Sequence, residues 1–207
     1  MTRQFRFALA FVLVGMLVSA PAMATIPDPA FSNAPGFMTV TPDGSFGYTV
    51  NVANSGGPLS GSFVQIVVSG PADGLVCWCT GQTHPVIDEL TNASGDATFF
   101  VAGGGCITAT GLGATVAEVF ADGILLGQIE INSPDVVDAA GFVNTDPGYT
   151  GDPTCNVGLS DAVFHTAPIS LGQSEPCSNF TDPFNDAVSL SDAVIVTPYI
   201  VNGTSCN

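Results

Sequence analysis

The sequence predicts a mainly β chain, an antiparallel β sandwich followed by a small α-helical repeat pair. Two observations carry that expectation. From residue 46 to residue 132 short apolar runs alternate at a period of two, separated by clusters of Gly, Pro, Asn and Asp, the pattern of short half-buried strands. After residue 132 the period changes and the chain repeats itself. "CNVGLSDAVFHTAPI", from Cys155, and "DAVSLSDAVIVTPYI", from Asp186, agree at eight of fifteen positions, 31 residues apart. Such a period marks a duplicated structural unit.

The first residues read as an export signal. Arg3 and Arg6 precede an apolar run from Phe7 to about Val18, and Ala22-Met23-Ala24 offers the small-x-small pattern of a cleavage site. The run is shorter than the roughly 20 residues a membrane span needs. Residues 1–24 are therefore expected to be a signal peptide, and the mature chain to begin at Thr25 and be secreted or displayed at the cell surface. The chain's two basic residues fall inside that segment, and its 18 acidic residues fall outside it. With no lysine or arginine to meet phosphate, a nucleic-acid footprint is excluded. A surface of one sign repels itself, so divalent cations are the expected counterions. Six cysteines, at 77, 79, 106, 155, 177 and 206, predict disulfides in an exported chain. Three lie in each half, so full pairing requires at least one bridge between the halves.

Residues 25–132 are expected to form one unit. A Pro- and Asn-rich arm to about Pro42 adds at most one strand. "FGYTVNVA" then places Phe46, Tyr48, Val50 and Val52 on one face. "SFVQIVVS" reads as more deeply buried, at Phe63 and from Ile66 to Val68. "LVCWCT", "ATFFVA", "CITATG", "TVAEVFADG" and "ILLGQIEIN" complete the set. "NSGGPLSG" and "ADG" supply turn residues that accept positive φ. The stretch "TNASGDATFFVAGGGCITATGLG", with the paired strands of "VNVANSGGPLSGSFVQIVVSG" before it, resembles bacterial immunoglobulin-like domains over roughly residues 45–131. That resemblance implies an immunoglobulin-like sandwich.

Residues 133–207 hold the repeat. Leu159, Ala162, Val163, Thr166 and Ile169 share one face of a helix, as do Leu190, Ala193, Val194, Thr197 and Ile200. Ser160 and Ser191 stand at the expected N-caps, with Asp161 and Asp192 on the positive helix ends. Pro168 and Pro198 are expected to limit each helix to about two and a half turns. Helices so short need partners, so the two apolar faces are expected to pack on each other.

Before each helix runs a polar loop, "TGDPTCNVGLSD" and "TDPFNDAVSLSD". The two loop-helix units resemble the dockerin module, a pair of half EF-hands. The resemblance implies calcium as the cofactor, held by oxygens at alternate early loop positions and by an acid at position twelve. Carried over residue by residue, it selects Asp182, Asn185, Asp186 and Asp192 in loop two, and Asp152 and Asp161 in loop one. Both loops depart from the family: Asp182 comes one residue late, and Asp186 replaces the loop glycine. A competing first register starts at Asp135 and ends at Asp146, without a helix directly after it. The resemblance also implies docking to a cohesin-type partner, often within polysaccharide-degrading or cell-surface assemblies.

Other constellations point less far. Cys77, Cys79, His84 and Cys106 could be written as a zinc set, but an exported chain favours a bridge from Cys77 or Cys79 to Cys106. His84 and His165 are the only histidines, neither lies in a nucleophile motif, and His165 is expected to be solvated or half-buried. Glu118, Glu130 and Asp122 lie near strands without the aromatic cluster a sugar subsite needs. Trp78, between two cysteines, reads as core packing. The expectation is a non-catalytic exported protein of adhesion or assembly; the alternative is a small secreted polysaccharide-degrading hydrolase or carbohydrate-binding accessory protein.

Overall fold

A computed structural model describes residues 26–206 other than 69, 80, 82–85, 110–115, 139–153, 174 and 182–187. Among the described residues the chain is mainly β, with one curled multi-stranded sheet and two α-helices. The main sheet has five strands: β1 (Phe37–Thr39), β5 (Phe63–Val67), β7 (Val86–Leu90), β10 (Ala117–Ala121) and β11 (Ile124–Asn132). Their order is β1-β11-β10-β5-β7. The N-terminal arm supplies β1, which pairs parallel to β11 with Phe37 opposite Glu130. The remaining neighbours run antiparallel.

Three two-stranded ladders accompany this sheet: β2 (Gly47–Asn51) with β8 (Asp96–Phe100), β3 (Ala53–Asn54) with β4 (Gly57–Pro58), and β6 (Val76–Trp78) with β9 (Gly103–Gly105). The period-two pattern does what it predicts in most strands. Tyr48, Val50 and Val52 are buried together, and Val64, Ile66 and Val68 alternate with more exposed neighbours. Phe63 is a correction: it is exposed on the edge of that alternation, so β5 buries one face only. The tight β10–β11 hairpin explains "ADG". Asp122 and Gly123 both take positive φ, 48° and 80°, as a two-residue turn matched to strand twist requires, and Asp122 Oδ1 accepts the Phe63 N–H.

Helix α1 (Leu159–Leu171) and helix α2 (Leu190–Asn202) have 13 residues each and pack on one another. Both run past their prolines, against the sequence expectation. Pro168 and Pro198 each remove only one intrahelical hydrogen bond, and the stop comes later, at Gly172 and Gly203. These glycines are left-handed C-caps with φ 60° and 57°, a conformation glycine adopts without a Cβ penalty. The N-caps are also corrected, by two residues, to Gly158 and Ser189. Asp161 and Asp192 consequently sit at the third helical position.

The main core is aliphatic, with Val50, Val64, Ile66, Ile107, Val119 and Ile131 fully buried and Trp78 packed against it. A smaller cluster of Cys106, Val136, Val137 and Cys177 lies under α1, with Phe164 over it.

Candidate functional site

The repeated aspartates are structural tethers. Asp161 and Asp192 are 1% and 0% exposed. Asp161 Oδ1 accepts the Val136 and Val137 N–H groups at 2.9 and 3.1 Å, and Oδ2 accepts that of Gly158 at 2.9 Å. Asp192 Oδ1 accepts the Phe180 N–H at 2.7 Å and the Thr181 hydroxyl at 3.0 Å. Its Oδ2 accepts the Ser189 N–H at 2.8 Å and the Ser189 hydroxyl at 3.0 Å. Each carboxylate thus satisfies a donor of its own helix start and pins an irregular segment that precedes it in the chain. The first unit reaches back to residues 136–137, farther than loop "TGDPTCNVGLSD" suggests.

A carboxylate offers about four acceptor positions, and Asp192 has all four engaged. A bidentate calcium contact from Asp192 does not fit this arrangement without breaking those bonds. Asp152, Asp182, Asn185 and Asp186 lie outside the described residues.

His165 is 1% exposed, not half-solvated as its place in the helix suggested. Its ring stands at the repeat position of Val196 in the second unit, and it meets Phe164 edge-on and Phe180 at a tilt, with centroids 5.2 and 5.6 Å away. Nε2 lies 3.1 Å from the Pro134 carbonyl and Nδ1 lies 2.8 Å from the Ser178 hydroxyl. A carbonyl only accepts, so Nε2 carries the proton and Nδ1 accepts from Ser178. Burial holds this imidazole down to about 4, against the opposing pull of the Pro134 carbonyl. The pair has a serine and a histidine, but both are buried and no carboxylate holds the second nitrogen.

Asp135 is a second buried acid, 0% exposed. The Thr154 hydroxyl donates to its Oδ1 at 3.0 Å, and its Oδ2 lies 3.7 Å from Cys77 Sγ. Burial first, and the Asp161 charge second, push its carboxyl up to about 7. Asp161 is raised as well, by burial, while its three N–H donors oppose the shift. Gly104 makes room for this group: a Cβ there would come within 2.3 Å of Asp135 Oδ2.

Three disulfides tie residues 77–106 to residues 155–206: Cys77–Cys155, Cys79–Cys206 and Cys106–Cys177. Every cysteine is paired. The expected bridge from Cys77 or Cys79 to Cys106 is absent, and so is a zinc set built on Cys77, Cys79 and Cys106; His84 lies outside the described residues. Instead the requirement for a bridge between the halves is met three times. The reason is local. Cys77 and Cys79 flank Trp78 on one side of β6, opposite a short ladder in which Asn156 bridges Ser205 and the Cys206 N–H meets the Cys155 carbonyl at 3.0 Å. Cys155 and Cys206 are thus cross-strand neighbours facing a C-x-C pair. Asn132 donates to the Asn179 carbonyl, and Ser45 meets the Tyr199 hydroxyl.

The repeat's shared leucines and the valines four residues on face solvent. Leu159 and Leu190 are 82% and 77% exposed, and Val163 and Val194 are 68% and 74% exposed. This corrects the expectation that these apolar faces pack together. The buried stripes are Asp161, His165 and Pro168 on α1, and Asp192, Val196 and Tyr199 on α2. The sequence pointed to Asp135 only as the start of a competing loop register and to His165 only as a helix residue, because their buried roles depend on contacts 19 and 31 residues away. The C-x-C spacing suggested that only one of Cys77 and Cys79 would reach a partner, whereas both are bridged to the second half.

No family model, no curated protein and no solved structure matches this chain. Among the described residues no helix is long and apolar enough to cross a membrane.

Proposed function

We propose that this chain is a non-catalytic exported protein of adhesion or assembly, an immunoglobulin-like sandwich carrying a dockerin-like unit that docks a cohesin-type partner. One observation supports the docking surface above others. Of the eight positions common to both repeats, Val157/Val188 and Asp161/Asp192 are buried, Ala162/Ala193 and Ile169/Ile200 are half-buried, and Leu159/Leu190, Ser160/Ser191, Val163/Val194 and Thr166/Thr197 are exposed. Folding accounts for the likeness of the buried set. It gives no reason for two helices to present the same leucine, serine and valine to water, whereas a partner that reads the same motif twice does. Three disulfides fit an oxidising compartment outside the cell. In this reading calcium belongs to the loop acids Asp182 and Asp186 rather than to Asp192.

The test is surface plasmon resonance of the oxidised protein against cohesin-type modules from the producing organism. Leu159→Glu/Leu190→Glu should lower affinity at least about a hundredfold, as loss of two central apolar anchors does. Binding unchanged by the double substitution, or absent from every module, overturns the docking assignment.

A further inference from the structure

We propose that the neighbouring bridges Cys77–Cys155 and Cys79–Cys206 form a thiol–disulfide exchange site, in which a low-molecular-weight thiol entering at Cys206 is relayed through Cys79 to Cys155 and released as a thiol at Cys77. This inference is independent of the docking surface.

The placement of the sulfurs carries it. The Sγ atoms of Cys79, Cys155 and Cys206, which belong to two different bridges, lie within 4.8 Å of one another. Cys77 Sγ, Cys155 Sγ and an oxygen of Asp135 form a second cluster within the same limit. Exposure gives the relay its direction. Cys206 and Cys155 are partly exposed, whereas Cys79 and Cys77 are 6% and 8% exposed. The third bridge is shut off from solvent, with Cys106 2% and Cys177 0% exposed. Access and the identity of the attacked sulfur govern exchange, so the outer sulfurs are attacked and the inner ones leave.

The steps balance without net oxidation or reduction. The incoming thiolate attacks Cys206 Sγ, forms a mixed disulfide there and expels the Cys79 thiolate. That thiolate is buried next to an intact disulfide and attacks Cys155 Sγ. A Cys79–Cys155 bond forms, and the Cys77–Cys155 bond breaks. Cys77 leaves as a thiolate, takes a proton from solvent, and its S–H then faces the Asp135 Oδ2 3.7 Å away as a weak donor to a ready acceptor. One external thiol is consumed and one protein thiol appears, at the far end of the cluster.

The experiment uses the oxidised full chain with limiting reduced glutathione, an acid quench, N-ethylmaleimide and peptic mapping, since no Lys or Arg follows residue 6. The expected product carries glutathione on Cys206, maleimide on Cys77 and a new Cys79–Cys155 peptide, with Cys106–Cys177 intact. Because Cys155 is held beside Cys79 at high effective concentration, maleimide on Cys77 should exceed that on Cys79 by about tenfold. In Cys77→Ser/Cys155→Ser the relay has no acceptor, and the label should move to Cys79. Wild-type protein labelled at Cys79 with Cys77–Cys155 intact, or all three bridges opening at one rate, overturns the proposal.

Discussion

Two buried groups should set opposite pH dependences of stability, and separating them by substitution makes each visible. Asp135 is raised from 3.8 to about 7. Between those values the folded chain holds a proton that the unfolded chain has lost, so stability falls as pH rises. His165 is lowered from 6.5 to about 4. There the unfolded chain holds the extra proton, so stability rises with pH and is lost as pH falls through that window. At about 1.4 kcal/mol per decade of proton affinity, the full effects are on the order of 4 kcal/mol for Asp135 and 3 kcal/mol for His165. From about pH 4.5 to 6.5 the two slopes oppose each other, each being worth on the order of 3 kcal/mol over that span. Asp135→Asn removes the falling contribution, together with the charge felt by Asp161. Its stability should therefore gain on the order of 3 kcal/mol relative to wild type across the window. His165→Asn should lose a similar amount across it, whatever its stability at the starting pH. The assay is guanidinium unfolding of the oxidised proteins at several pH values, comparing slopes rather than absolute stabilities. Profiles of both variants parallel to wild type would refute the burial argument for these groups.

Further outcomes follow from the same contacts. Asp161→Ala and Asp192→Ala strand three and four donors respectively, and each should cost about 3 kcal/mol, measured by thermal melts and equally large in EDTA and in millimolar calcium. Asp182→Ala/Asp186→Ala should abolish any calcium-induced rise in the melting temperature while leaving the EDTA transition in place. Gly104→Ala should destabilise by about 2 kcal/mol or more, because the new methyl meets the Asp135 carboxylate, and Asp135→Ala in the same chain should recover part of that loss. Leu159→Glu/Leu190→Glu should leave the melting transition within about 0.5 kcal/mol of wild type, since both side chains are exposed.

The strands were legible because one physical pattern dictates them. An alternating sequence such as Tyr48-Val50-Val52 has only one way to bury its apolar side, and Asp122-Gly123 selects its own turn. The helices were legible in place but not in orientation. Leu159 and Val163 supplied a helical period, yet the buried stripe is Asp161, His165 and Pro168. Hydrophobicity cannot anticipate that choice, because the carboxylate is driven inward by backbone N–H groups from residues 136–137 and the imidazole by Ser178 and Pro134. The proline stops misled for a related reason: one missing hydrogen bond is cheaper than abandoning a packed last turn. Disulfide connectivity was out of reach, since it follows from which segments lie side by side. Only the existence of a bridge between the halves could be counted from the cysteines.

The Cys79–Cys206 bridge also determines how the chain would carry tension. A pull applied between the first described residues and the C-terminal end enters at residue 26, follows the backbone to Cys79 and crosses to Cys206. The 127-residue separation between those two cysteines is thereby taken off the line of force. Strands β7 to β11 and both helices hang on a covalent loop that bears no direct load, and segment 26–79 alone can be drawn out, at about 3.5 Å per residue. Strand β1 must first be sheared from β11, its parallel neighbour. Cleaving that one bridge would put the sheltered loop back into the line of force, held then by Cys77–Cys155 only as far as residue 155. A single sulfur–sulfur bond therefore confines the stretch under such a pull to the segment before Cys79, and the strands beyond it stay off the line of force.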